Sequence, residues 1–489
     1  MNFSKIYAAQ ISGLRADLVT IEVDLSNGLH AFSIVGLGDR AVEEAKDRIS
    51  AAIKNSGFVS PKQRNQKVVI GLAPANIKKE GTTFDFGMAV GYLLAAGNID
   101  FNPDKKIFVG ELSLEGNLHP TPGVLAMIRA ARQKGFECAF VPAQNAVEAA
   151  LIPNIIIYPM NSLMDFVNHI SGNKKIEPQP RTKIMTESIS NSETIDFAHI
   201  HGQDHAKRAL EIAAAGKHNI AMYGPPGTGK TMLAKAFAGI LPNLSHSEVL
   251  EVTELYSIAT NSSVITRPPF RSPHHTSPYS AIIGGGLGSP KPGEITLAHR
   301  GVLFLDEFTE FDRRTIDSLR QPMEEKKITI TRTRESVTYP ADCIYILAMN
   351  PCACGGKKCI CTEKEIARYR KKISGPIADR IDIWISVSKI EYEKFSTHLN
   401  GNRTSTETSK SMSARIKQAR LFAKKLGTSK ETSLEAAAFL LESARKLELS
   451  GRAHVRTANV AGTIANLAQS EKIKKEHIME ALQYRLRDG

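Results

Sequence analysis

The chain has 489 residues, more than one hydrophobic core serves, so two to four domains are expected. Its 42% hydrophobic content is ample for ordinary globular cores, and 63 Lys and Arg against 50 Asp and Glu leave a net charge of +13. The opening MNFSKIYAAQ lacks the basic start and apolar core of a signal peptide, and the longest apolar run, FGMAVGYLLAAG, is too short to span a bilayer; a soluble, cytoplasmic protein without membrane association is expected.

In chain order, residues 1–170 alternate strand-like runs such as LVTIEVDL and KVVIGL with helix-like runs such as AVEEAKDRISAAIKNSG, the pattern of a mixed α/β domain. Residues 171–195 are polar, proline-bearing and aperiodic, and read as a linker. A second α/β segment covers 196–395. From 396 a polar break leads into a tail that is helical throughout, with apolar residues three and four apart. Residues 401–489 carry 17 Lys and Arg against 9 Asp and Glu, a net +8. Such asymmetry fits a polyanion partner, though solvated lysine-rich helices give the same count.

Within the second segment, YGPPGTGKTML follows a strand-like HNIAMY and opens a helix-like TMLAKAFAGIL. Its residues Gly224, Pro225, Pro226, Gly227, Thr228, Gly229, Lys230 and Thr231 form G-x-x-x-x-G-K-[ST], a loop whose backbone N–H groups converge on phosphate oxygens. Lys230 is expected on the outer phosphates of ATP and Thr231 on Mg²⁺. Downstream, GVLFLDEF ends an apolar strand in Asp306 and Glu307, the first suited to the magnesium shell and the second to polarising water. CIYILAMNP places Asn350 at another strand end, able to orient that water. SGPIADRIDIW offers Arg380, with no evident reason to be buried in its own domain; an arginine supplied across a subunit boundary would stabilise charge on the transferred phosphoryl group, and a surface salt bridge is the plainer alternative.

Four of six cysteines, Cys352, Cys354, Cys359 and Cys361, fall in NPCACGGKKCICTEKE as two C-x-C pairs. They suit tetrahedral Zn²⁺, with free thiols as the alternative, whereas Cys138 and Cys343 read as ordinary buried residues. His274 and His275 in SPHHTS are expected to point in opposite directions along an extended loop, in loop packing or substrate contact rather than at a metal. The alternation in EEKKITITRTRESVTYPADC predicts a β-hairpin with Arg332 and Arg334 near its tip.

The order of phosphate loop, acidic strand, polar strand and arginine resembles an AAA+ ATPase, and FRSPHHTSPYSAIIGGGLGSPKPGEITLAHRGVLFLDE, LRQPMEE, AMNPCACGG and ISGPIADRID resemble the YifB/ComM-type group of magnesium-chelatase-like proteins over essentially the whole chain. The resemblance implies a Lon-protease-like N-terminal domain, an AAA+ core and a C-terminal helical lid. It makes Arg380 the arginine finger, Asn350 the sensor-1 residue and Arg452 the sensor-2 arginine, in a ring, hexameric among relatives. Gly462 stands where the family usually has an arginine. The hairpin would face a central channel, with Lys326, Lys327, Arg332 and Arg334 as DNA-contact candidates, or else be a solvated edge protected by charge. The glycines Gly284, Gly285 and Gly286 fall at a channel-facing insert of the family. The Lon-type serine and lysine positions fall on Thr83 and Met127, and a thioether takes no proton, so an inactive protease domain is expected.

The implied activity is ATP-driven branch migration of branched or single-stranded DNA in homologous recombination, during natural transformation. Two other classes stand beside it, a magnesium-chelatase ATPase subunit and a Lon-like ATP-dependent protease. A Lon-like domain ahead of the motor disfavours the first, and Met127 the second.

Overall fold

The computed structural model describes residues 2–184, 195–260, 264–286, 290–331, 336–355, 359–388, 407–427 and 430–485. Two compact units divide the chain: residues 1–185 with 246–265, and residues 186–245 with 266–489.

The first unit is built on a seven-stranded mixed sheet, ordered Ala31–Val35, Gln66–Ala73, Arg15–Asn27, Phe3–Ser12, Lys106–Phe108, Cys138–Pro142 and Ile156–Met160. Alternate residues of a strand face opposite sides, and both sides are covered here. Ile6, Ala8, Val19, Ile21 and Val23 pack with helices Arg40–Asn55 and Asp85–Ala95, while Ala9 and Ile107 pack with helix Val124–Gln133. Helix His246–Thr260, expected inside the second α/β segment, belongs to this unit. Arg129 pairs with Glu254 at 2.7 Å, and the Gly123 N–H donates to the Ser257 hydroxyl at 3.1 Å. The first part of the expected linker also lies along this unit: the N–H groups of Gln179 and Thr182 donate to the carbonyls of Ile157 and Ala150. Residues 185–194 lie outside the described residues.

The second unit centres on a five-stranded sheet, parallel throughout, ordered Phe270–Arg271, Val302–Leu305, Ile344–Met349, Ile220–Tyr223 and Ile383–Ser386. A parallel sheet covered on both faces needs continuous apolar strands, and VLFL and IYILAM are buried at every position. Helices Ser409–Leu426, Leu434–Lys446, Gly451–Leu467 and Lys475–Gln483 send Met412, Ile416, Leu440, Val460, Ile464 and Ile478 into the same core. The first three of these helices are capped by Thr408, Ser433 and Ser450, whose side chains accept backbone N–H groups. Polar ties add to the packing: His218 Nε2 lies 2.7 Å from the Thr463 hydroxyl, and Arg208 Nε donates to Glu480 at 2.8 Å. The basic helical tail and the parallel sheet are thus one compact body. A Cβ on Gly462 would stand 3.6 Å from Ile473, in ordinary contact with the following segment.

Candidate nucleotide site

Strand Ile220–Tyr223 runs into the loop 224–229, which opens helix Lys230–Ile240. Gly224 is required by close approach, since a Cβ there would lie 2.1 Å from the Val387 carbonyl oxygen. Gly229, at φ 90°, turns the chain into the helix in a conformation that side chains resist. The Thr228 hydroxyl donates to the Pro225 carbonyl at 2.9 Å and ties the loop to itself. Lys230 Nζ folds back to the carbonyls of Gly224 at 2.7 Å and Pro225 at 3.0 Å, and to Asn350 Oδ1 at 3.3 Å. Burial lowers its pKa, and the charges of Asp306 and Glu307 oppose that shift.

The Thr231 hydroxyl donates to Asp306 Oδ2 at 2.8 Å. Two neighbouring ligands of an octahedral Mg²⁺ with bonds of about 2.1 Å stand about 3.0 Å apart, so this oxygen pair fits the ion. Thr231, Asp306 and Asn350 all lie at the carboxyl ends of parallel strands, or at the helix that follows one, where open α/β sheets bind ligands. Glu307 is left-handed at φ 49°, its N–H donating to Asp306 Oδ1 at 2.9 Å. Its side chain reaches His275, with Oε2 3.1 Å from Nδ1.

The histidine pair departs from expectation. Instead of opposing each other, the rings of His274 and His275 lie 4.2 Å apart. The chain turns here, with the Ser277 N–H donating to the His274 carbonyl at 2.9 Å, and His274 Nδ1 lies 2.8 Å from the Thr276 hydroxyl. His275 as the neighbour of Glu307 was missed because only the folded loop carries SPHHTS past the acidic strand end.

Arg380 is also placed differently from expectation, because it is buried within its own unit at 8% exposure. Its Nη1 donates to the Pro376 carbonyl at 2.7 Å and its Nη2 pairs with Glu324, while Nε is buried without a partner. Arg452 Nη2 lies 3.7 Å from the other oxygen of the same carboxylate. Glu324, one residue of LRQPMEE, thus joins two arginines 72 positions apart in sequence. The Arg380 guanidinium holds the Glu324 carboxyl below the usual range, with Arg452 and Arg456 acting in the same sense.

The hairpin forms from Lys327–Thr331 and Ser336–Pro340, paired antiparallel. Lys326 and Lys327 sit at its base, where Lys326 pairs with Asp342 at 2.9 Å and Lys327 approaches Glu325 at 3.8 Å. Arg332 and Arg334 lie outside the described residues. Gly284–Gly285 of the expected insert pairs with Lys291–Pro292.

The sulfurs of Cys352, Cys354, Cys359 and Cys361 all lie within 4.8 Å of one another, a cluster able to hold a metal ion. Among the described residues it is the one such group of three or more Cys, His, Asp or Glu side chains. Cys138 and Cys343 stand outside it, and burial raises the pKa of both thiols. In the first unit, Thr83 Oγ1 is buried without a hydrogen-bond partner, and Met127 is buried on helix Val124–Gln133. Among the described residues, no helix is long and apolar enough to cross a membrane.

Comparison with known proteins shows the family. Residues 196–395 match the family model described as magnesium chelatase, subunit ChlI, residues 21–145 match a second model described as subunit ChlI of Mg-chelatase, and residues 404–485 match the model for the C-terminal part of magnesium chelatase subunit ChlI. The chain is 39% identical to the competence protein ComM of Haemophilus influenzae, covering 99% of this chain and 98% of that protein. It is 38% identical to YifB of Escherichia coli, covering 100% and 98%. Lon protease 2 of Bacillus subtilis is 26% identical over 167 residues, 32% of this chain and 30% of that protein. The likeness to ComM and to YifB runs over almost the whole length of each chain, and the chain belongs to the ComM/YifB-type, magnesium-chelatase-like AAA+ family.

Proposed function

We propose that this protein is an ATP hydrolase that works as a ring of six subunits, moving on branched or single-stranded DNA to drive branch migration in homologous recombination. The observation that carries the ATPase reading is the convergence of Lys230, Thr231, Asp306, Glu307 and Asn350 at the carboxyl edge of the parallel sheet, beyond the ends of three neighbouring strands. The full-length likeness to a competence protein supports the DNA reading and its setting in natural transformation, as does the basic C-terminal segment.

In this reading the N–H groups of the loop 224–229 and Lys230 bind the phosphates, and Glu307 accepts the proton of the attacking water that Asn350 orients. Thr231 and Asp306 would hold magnesium, which when bound would neutralise charge on the phosphate oxygens. Arg380 and Arg452 serve the nucleotide once assembly draws them from Glu324, with Arg380 reaching a neighbouring subunit's site. Lys326 and Lys327, with Arg332 and Arg334, contact DNA phosphates in the channel. Zinc is the metal for the four thiols, because an all-sulfur set suits it over harder cations.

The test is a labelled mobile Holliday junction incubated with ATP and the purified full chain, with Lys230→Ala as control. ATP-dependent strand separation by the intact protein alone is expected. No separation, with ATP turnover unaffected by DNA, overturns the DNA reading and favours the chelatase-type alternative.

A further inference from the structure

The four-cysteine cluster is not a remote appendage of the nucleotide site. Cys352 follows Asn350 by two residues and is itself buried at 4% exposure. The loop then crosses the site: a Cβ on Gly355 would lie 3.5 Å from Asn350 Nδ2 and 4.0 Å from Pro226 of the phosphate loop. Gly355 adopts φ 56°, and its N–H donates to the Cys352 carbonyl at 3.3 Å. The left-handed turn, which favours glycine, carries the loop beside Asn350, where a side chain would be in ordinary contact.

The far end of the cluster is tied to the acidic strand. After Cys361, Thr362 caps helix Glu363–Arg370 through a reciprocal capping box with Glu365. Tyr369 on this helix is buried, and its hydroxyl bonds to Thr309, two residues beyond Glu307. Lys372 lies 3.5 Å from Glu310. One short segment therefore touches Asn350 at its start and the Glu307 turn at its end.

The sulfur positions suit a tetrahedral tetrathiolate centre. A tetrahedral ZnS₄ centre with bonds of about 2.3 Å has sulfur–sulfur edges of about 3.8 Å. Cys352 lies 3.2 Å from Cys354 and 3.5 Å from Cys359, and Cys354 lies 3.9 Å from Cys359. An ion held by all four thiols would tie the two C-x-C pairs together far more firmly than thiol–thiol contacts do.

We infer that a zinc ion bound by Cys352, Cys354, Cys359 and Cys361 is the element that positions Asn350 and the Glu307 turn for hydrolysis, so that metal occupancy sets the rate of ATP turnover. This rests on the reading of Asn350 and Glu307 as ATPase residues and of the thiols as zinc ligands. The cysteines are positioning residues and take no part in the chemistry. Loss of the ion frees the loop, Asn350 loses its fixed distance from Lys230, and turnover falls while the phosphate loop still binds nucleotide.

The experiment uses the full-length protein. Metal content by mass spectrometry should give about one zinc per chain, and exchange with Co²⁺ should give the intense visible bands of a tetrahedral tetrathiolate. Cys359→Ser should lose both. Metal removal by a chelator, followed by zinc readdition, is the second manipulation, because it needs no refolding of a variant. It should lower kcat about tenfold or more and restore it, with fluorescent-nucleotide affinity changed less than about threefold. Zinc bound, with kcat unchanged on its removal, overturns the positioning role and leaves the metal reading standing. Absence of bound metal, or iron with its own visible absorption, overturns the zinc centre itself. Intact zinc-loaded protein that binds but does not hydrolyse ATP overturns the ATPase reading on which the inference rests.

Discussion

His275 Nδ1 lies 3.1 Å from Glu307 Oε2. Glu307 is half-exposed and follows the strand in a left-handed conformation, so the strand alone does not aim its carboxylate. The imidazole does. Replacing His275 by Ala should lower kcat about tenfold with nucleotide affinity nearly unchanged, and His275→Asn should recover part of the loss. Equal losses in kcat and affinity would mean that the SPHHTS turn had simply collapsed.

Lys230 is buried among the carbonyls of its own loop and Asn350, a set of acceptors that phosphate oxygens would replace. Lys230→Ala should keep the fold, by circular dichroism, and lower ATP turnover by about a hundredfold or more. Turnover at the native rate would remove the assigned phosphate contact.

Arg380 is held by Glu324 and Pro376 within its own chain, and Arg452 approaches the same carboxylate. Arg380→Ala should assemble and hydrolyse poorly, and mixing it with Lys230→Ala protein should restore part of the activity. Such rescue needs a site shared between subunits. Its absence, with mixed assemblies verified by native mass spectrometry, would confine Arg380 to the structural pair with Glu324.

The buried Glu254 carboxyl, beside Arg129, gives a pH dependence to the first unit. Burial pushes its pKa up to about 7 from an ordinary 4.5, although Arg129 pulls the other way. The folded chain therefore keeps a proton that the unfolded chain has released between those values. Stability from this group is full below about pH 4.5, falls as pH rises and is gone above about 7, amounting to at most about 3 kcal/mol. Glu254→Gln should leave helix His246–Thr260 better protected from hydrogen exchange than the native chain at pH 7.5, with the two alike near pH 4.5. Equal protection at both would show that Arg129 neutralises the group.

Thr83 has a buried hydroxyl without a partner, and Met127, expected from the sequence at the position of a Lon-type lysine, is a buried thioether that takes no proton. The purified chain should not cleave an unfolded protein substrate with or without ATP. Cleavage that Thr83→Ala abolishes would identify a threonine nucleophile with a base supplied from elsewhere.

The phosphate loop, the acidic strand and the hairpin were legible because each is a local pattern: apolar runs bounded by glycine, carboxylates or alternation. Glu324 was not, since one glutamate in PMEE gives no sign that residues 380 and 452 will converge on it. Nor was the unit assignment of His246–Thr260, whose sequence neighbours on both sides belong to the other compact body.

Local chemistry alone therefore specified the nucleotide loop, the metal-type thiol set, the fold class and the basic tail, because backbone conformation and ligand preference depend on residues within a few positions of each other. Pairing His275 with Glu307, seating both arginines on Glu324 and laying the cysteine loop beside Pro226 of the phosphate loop required the folded chain. Those contacts join segments tens of residues apart, and their partners are chosen by how strands and helices pack rather than by anything written beside them.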